Sequence, residues 1–131
     1  MSASEDALTF LQAAERDLRA LEGMIDDSVF AIEVFGFHGQ QAAEKALKPW
    51  LSCAGQPVPK VHDLDLLLEL LGDAGEKEAA RFEHLSDFTE FAVEFRYGAY
   101  NGNEAGLDRA AIASQVRSLV EFVRARLEGS G

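Results

Sequence analysis

An all-α fold, built as an antiparallel up-and-down four-helix bundle with one additional short helix, is what this sequence predicts, and three observations carry it. Apolar residues recur at spacings of three and four in five separate stretches. No stretch alternates with a period of two for long enough to make a strand. Glycine, proline and asparagine fall between the helical stretches and leave connections short enough to favour antiparallel neighbours. At 131 residues the chain has material for one core, so a single domain over 1–131 is expected.

Residues 4–26 place Leu8, Leu11, Leu18, Leu21 and Ile25 at helical intervals behind Ser4, a capping residue type, and the acidic pair Glu5 and Asp6. A long first helix is expected there, interrupted near Gly23. The second helix is expected over 28–54, capped by Ser28 and stopped by the stretch from Gly55 to Pro59; Pro49 lacks an amide hydrogen and predicts a kink or an early end. The first half of this helix, with Val29, Phe30, Ile32, Val34, Phe35 and Phe37, is apolar nearly all round, which predicts cover from two sides, one of them a second subunit. His62 and Asp63 open a short third helix with Leu64, Leu67, Leu68 and Leu71 on its stripe, ending near Gly72 or Gly75. A fourth helix over 76–97 carries Phe82, Leu85, Phe88, Ala92 and Phe95, with Phe91 and Val93 off the stripe. The glycine- and asparagine-rich stretch 98–103 breaks it. A last helix over 104–127 buries Ile112, Val116, Leu119, Val120 and Val123 and carries Arg117, Arg124 and Arg126 elsewhere.

Composition excludes several classes of function. No apolar run approaches the ~20 residues that span a bilayer, and the start, Met1 to Asp6, is acidic and does not read as a secretion signal. A cytoplasmic protein without membrane contact is expected. Cys53 is the single cysteine, which rules out an intrachain disulfide and a cysteine-based zinc site. The formal charge of −11 would repel a long polyanion, so any nucleic-acid contact must come from a local positive cluster or from a basic partner.

Wound at 3.6 residues per turn, the second helix has two unlike faces. Ile32, Gly36, Gly39, Ala43, Ala46, Leu47 and Trp50 form a core face whose small middle lets another backbone come close. His38, Gln41, Lys45 and Lys48 line the other face, with Glu44 beside them; Glu44 four residues before Lys48 is the favourable order for a pair, and both read as a wet helix face. The run from His38 to Lys48, then Pro59, Lys60, Val61, His62, Asp63 and Leu64, then Phe95, Arg96 and Tyr97, resembles the HEPN domain family (higher eukaryotes and prokaryotes nucleotide-binding) in order and spacing over nearly the whole chain. The resemblance implies a helical bundle that forms oligomers and commonly occurs beside nucleotidyltransferases.

Arg96 ends an apolar helix before Tyr97 and a glycine-rich turn, where a guanidinium can leave the core and meet an anion bidentately. The plainer role is pairing with terminal carbonyls, Glu90 or Glu94. The resemblance implies more, because ribonucleases and toxins of the family carry an arginine followed after four to six residues by a histidine; the pair contacts the scissile phosphate and moves protons without a metal. In this chain those places hold Asn101, Gly102 and Asn103. An amide cannot take and return a proton near neutral pH as imidazole does. Arg96 is therefore carried over only as an anion contact, and no catalytic residue is assigned.

His38 reads either as a base, a base-stacking group or a nucleotide contact, or as a half-buried histidine bonded to a backbone or carboxylate group. His62 reads as a helper of Asp63 in capping the third helix. The three histidines lie on separate elements without metal-ligand spacing, so no metal is expected, and no cofactor motif occurs. The reading that follows is a non-catalytic HEPN-domain protein acting with a partner such as a minimal nucleotidyltransferase, in a two-component or toxin-antitoxin-like system, and dimerising through helices 2 and 4. Arg96, Lys45, Lys48, His38 and Tyr97 are the candidates for contact with a nucleotide or RNA phosphate. The alternatives are a metal-independent HEPN ribonuclease or toxin component that uses a histidine from elsewhere, and a helical scaffold or dimerisation module.

Overall fold

In the computed structural model, which describes residues 5–26, 28–87 and 108–129, the first helix α1 (Glu5–Gly23) buries a stripe that steps by four and three: Ala7, Leu11, Ala14, Leu18 and Leu21. Two residues expected on that stripe lie outside it. Leu8 is one step round from Ala7 and 42% exposed, and Ile25 falls beyond the helix end and is 39% exposed. Ser4 lies outside the described residues.

Helix α2 (Ile32–Cys53) starts later than its apolar content suggests. Ser28 does not cap it. The Asp26 carboxylate accepts from the Ser28 hydroxyl at 2.6 Å and from its amide at 2.9 Å, and the carbonyl of Asp26 accepts from Val29 and Phe30. That turn takes up residues that helical periodicity had assigned to α2 and leaves Val29 67% exposed. Pro49 is buried inside α2 and does not end it. The helix stops at Gly55, whose φ of +78° suits glycine; Gln56 N donates to Leu51 O and Gly55 N to Ser52 O, both at 3.0 Å. Gly75, with φ +88°, closes α3 (Leu64–Asp73) through the same pair of bonds.

Residues 77–87 form a 3₁₀ helix (Lys77–Asp87) rather than the start of an α-helix. Ala79, Phe82 and Leu85 are buried, and their spacing of three puts them on one edge at three residues per turn. Phe88, Phe91, Ala92, Val93 and Phe95 of the expected fourth helix lie outside the described residues. The last helix, α4 (Arg109–Gly129), is capped by Asp108, whose carboxylate accepts from Ala111 N at 3.0 Å; it buries Val116, Leu119, Val120 and Val123, and Ile112 partly. The described residues contain no strand, and the fold is all-α. Among them no helix is long and apolar enough to cross a membrane.

Side-chain pairs fix the helix directions. Arg117 grips Glu22 with contacts of 2.6 and 2.7 Å, and Arg124 grips Glu15 with two of 2.6 Å, so α4 runs antiparallel to α1. Exposed pairs of this kind add little stability; they mark the register without determining it. At the other side, Arg109 lies over the Phe35 ring at 5.2 Å near the start of α2, and Arg126 reaches Cys53 Sγ at 3.7 Å near its end, so α2 and α4 run parallel. Arg109 is 5% exposed and also donates to the carbonyls of Met24 and Phe30, at 3.1 and 2.7 Å. It clamps the connection from α1 to α2.

Three elements meet at Trp50. Its ring lies 6.0 Å from Phe82 and 4.8 Å from Phe122, and its Nε1 donates to Glu76 Oε1 at 2.6 Å. Arg126 donates to both oxygens of Glu76, and this hydrogen bonding, more than that from Trp50, holds the Glu76 carboxyl below its ordinary pKa. A carboxyl with a depressed folded pKa stabilises above its unfolded value, about 4.3 for glutamate, and loses that contribution as pH falls through the folded value. Glu76→Gln is therefore expected to melt below the parent at pH 7, with the difference shrinking as pH falls below about 4. Thermal melts across that range check it; a difference that does not change with pH would remove the ionised pair as its cause.

Candidate functional site

The polar side of α2 divides into two groups on either side of Gln41. On the flank facing α1, Lys45 Nζ donates to Asp17 Oδ2 at 2.9 Å, and His38 Nδ1 lies 3.4 Å from Asp17 Oδ1. Both α2 side chains remain 30% exposed and the Asp17 side chain 16% exposed. His38 and Lys45 are seven residues apart, two turns along one line, so a single aspartate can serve both. The Phe37 ring stands edge-on to His38 at 5.8 Å.

On the opposite flank Gln40, Glu44 and Lys48 follow each other at spacings of four, and the loop before α3 folds over them. Lys48 Nζ donates to Glu44 Oε2 at 3.0 Å, Gln40 Nε2 to Glu44 Oε1 at 3.0 Å, and His62 Nδ1 meets Glu44 Oε1 at 2.9 Å. Gln40 also donates to the His62 carbonyl at 2.8 Å, tying the loop to the helix. The Glu44 and Lys48 pairing is present as expected, but the wet face is not: Gln40, Glu44 and Lys48 are all buried. A buried charge must be paired and bonded, and Glu44 receives all three donors. Gln40 Oε1 is buried without a hydrogen-bond partner among the described residues.

His62 was expected to help cap α3, and it does not. Asp63 caps it, accepting from Asp65 N at 3.0 Å and Leu66 N at 3.4 Å, while the His62 ring turns to Glu44. A carboxylate only accepts, so Nδ1 carries the hydrogen and Nε2 is left as the acceptor on a side chain that is 62% exposed. A carboxylate that fixes the tautomer of an accessible imidazole is an arrangement able to take a proton from a hydroxyl.

The charge balance decides what each group can attract. One ammonium faces one carboxylate at Asp17, and the same holds at Glu44. Neither offers net positive charge while its histidine is neutral, so a phosphate drawn here needs a further cation. Of the sequence candidates, the structure puts His38 and Lys45 together at Asp17 and Lys48 at Glu44; Arg96 and Tyr97 lie outside the described residues. Asp17 and Gln40 escaped the sequence reading. The spacing of four through Gln40, Glu44 and Lys48 could have revealed the glutamine; nothing local marks Asp17.

Comparison with known proteins gives a match to a family model described as HEPN domain, over residues 5–128. No curated protein and no solved structure matches the chain.

Proposed function

This chain belongs to the HEPN domain family, and from that premise we propose that it is a non-catalytic member that acts with a partner, such as a minimal nucleotidyltransferase, in a cytoplasmic two-component or toxin-antitoxin-like system. The observation that carries the reading is the charge balance of α2. Lys45 and Lys48 are each matched by a carboxylate, and the whole chain carries −11. Contact with a nucleotide or RNA phosphate then depends on Arg96, with Lys45, Lys48, His38 and Tyr97 as the further candidates, and on basic surface from the partner. The absence of a histidine at 101–103 supports the lack of catalysis. In this reading 1–131 is one domain, an antiparallel four-helix bundle with α3 as the added short helix, and it dimerises through α2 and the 76–97 stretch.

A second reading, a metal-independent ribonuclease, draws on the Glu44–His62 pair, which supplies an accessible imidazole in place of the missing one. One set of assays separates the two. In the first reading a nucleoside mono-, di- or triphosphate raises the melting temperature, Arg96→Ala abolishes the rise, and RNA stays intact. RNA cleavage that survives chelation and disappears in both Arg96→Ala and His62→Ala establishes the second reading and ends the first. Light scattering checks the dimer: a particle of only 14.3 kDa at high concentration would remove it.

A further inference from the structure

We propose that His62 Nε2 is a nucleophile that accepts a phosphoryl group from a phosphate anhydride, with Lys60 drawing the anionic donor to it. The second reading uses the same imidazole as a base; here the ring forms the bond itself, so the inference does not need RNA to be cut.

The chain has three histidines, and each meets a different environment. His62 combines a close carboxylate with an open approach: Nδ1 meets Glu44 Oε1 at 2.9 Å on a side chain that is 62% exposed, and Nε2 keeps its lone pair. His38 stands farther from its carboxylate, 3.4 Å from Asp17 Oδ1, and is half as exposed. His84 is exposed but has no carboxylate partner among the described residues.

Glu44 is itself held in place, by Lys48 on one oxygen and Gln40 on the other. A nucleophile whose partner is oriented by a third group is how proteins prepare a side chain for bond formation. Gln40 spends both amide hydrogens here, one on Glu44 and one on the His62 carbonyl. Turning that amide over would set its oxygen against two acceptors, so its orientation is forced. Its Oε1 is left buried without a partner among the described residues, which works against the fold. One amide thus holds both the backbone of His62 and the carboxylate its ring faces, at an energetic cost.

The loop supplies the cation that the balanced Glu44 group lacks. Pro59 and Val61 are half-buried, with Val61 packed against the core, whereas Lys60 and His62 are exposed. Lys60 makes no ion pair among the described residues. The nearest acidic neighbour in sequence, Asp63, is committed to the amides of Asp65 and Leu66. A phosphorus electrophile carries negative charge and is drawn by Lys60; a neutral carbon electrophile is not. In the step itself the Nε2 lone pair forms the N–P bond as the P–O bond to the leaving phosphate breaks, and that electron pair leaves with the oxygen. The hydrogen on Nδ1 stays shared with Glu44, whose charge offsets the imidazolium formed, and no proton has to move. Glu44 acts here as a positioning residue.

The test treats the whole chain with potassium phosphoramidate, an anionic phosphoryl donor whose P–N bond breaks to release ammonia, and separately with diethyl pyrocarbonate, a neutral reagent for imidazole. Peptide mass spectrometry reads the rate at each histidine, and phosphorus NMR identifies the bonded nitrogen. His62 is expected to be phosphorylated on Nε2 at least about tenfold faster than His38 or His84. Glu44→Gln is expected to slow His62 and leave His84 unchanged, a split that general unfolding would not produce. Lys60→Ala is expected to slow phosphoramidate at His62 by about threefold or more and to leave diethyl pyrocarbonate unaffected. Equal rates at His62 and His84 in the parent overturn the proposal without any variant. A Lys60→Ala protein that slows neither reagent, or both alike, also overturns it. Nucleotide binding and RNA cleavage are read in separate assays that turn on Arg96→Ala, so failure there leaves this result standing, and the reverse.

Discussion

Glu44→Ala is expected to destabilise the fold by about 3–5 kcal/mol, the scale of breaking a buried ion pair from one side. The substitution leaves the Lys48 ammonium, 7% exposed, without its carboxylate, and it removes the acceptor for Gln40 Nε2 and His62 Nδ1. Against a typical total of roughly 5–15 kcal/mol for a domain, that is a large share. Glu44→Leu combined with Lys48→Met removes both ions and is expected to recover most of the loss, because the desolvation penalty disappears with them. Urea denaturation of Glu44→Leu, Lys48→Met and the double variant gives the cycle. A loss below about 1 kcal/mol for Glu44→Ala, the scale of an exposed pair, would show that water reaches the group.

Trp50→Ala should cost about 3–5 kcal/mol, as large aromatic deletions in cores do. Trp50 is fully buried, and its ring joins the end of α2 to the 3₁₀ helix through Phe82 and to α4 through Phe122. The guanidinium of Arg81 lies over the same cluster, 5.1 Å from the Phe82 ring and 5.6 Å from that of Phe122, so a collapsed cavity would disturb a cation–π contact as well. Trp50→Phe keeps an aromatic ring but gives up the donor to Glu76, and about 1–3 kcal/mol is expected from that change. Melts followed by circular dichroism rank the three proteins. If Trp50→Phe proves as damaging as Trp50→Ala, the indole hydrogen bond outweighs the ring packing, and the assignment of the core to aromatic contact is wrong.

Much of this molecule is legible before folding. The α2 core face from Ile32 to Trp50 is buried as its spacing predicts, and so are the four leucines of α3. Asp63, by its residue type, was a cap and is one. Where the reading missed, a competing local interaction or a distant element intervened. Asp26 captured Ser28 and delayed α2. Arg109, which by type belongs on a surface, is buried because two loop carbonyls and the Phe35 ring converge on it. The 3₁₀ form of 77–87 rests on a spacing of three that also fits an α-helix over so short a run.

The candidate site divides along the same line. Residue order alone determined that Glu44 and Lys48 would pair, that His38 and Lys45 would share a line, and that no histidine follows Arg96 at the family's spacing. Tertiary structure alone decided that Glu44 and Lys48 are dry, that Asp17 neutralises Lys45, and that His62 turns to Glu44 instead of capping α3. The physical reason is that periodicity records which residues share a helix face, whereas burial and charge balance depend on what another part of the chain lays over that face. Here those parts are α1 and the loop ahead of α3, 21 and 18 residues from their partners on α2.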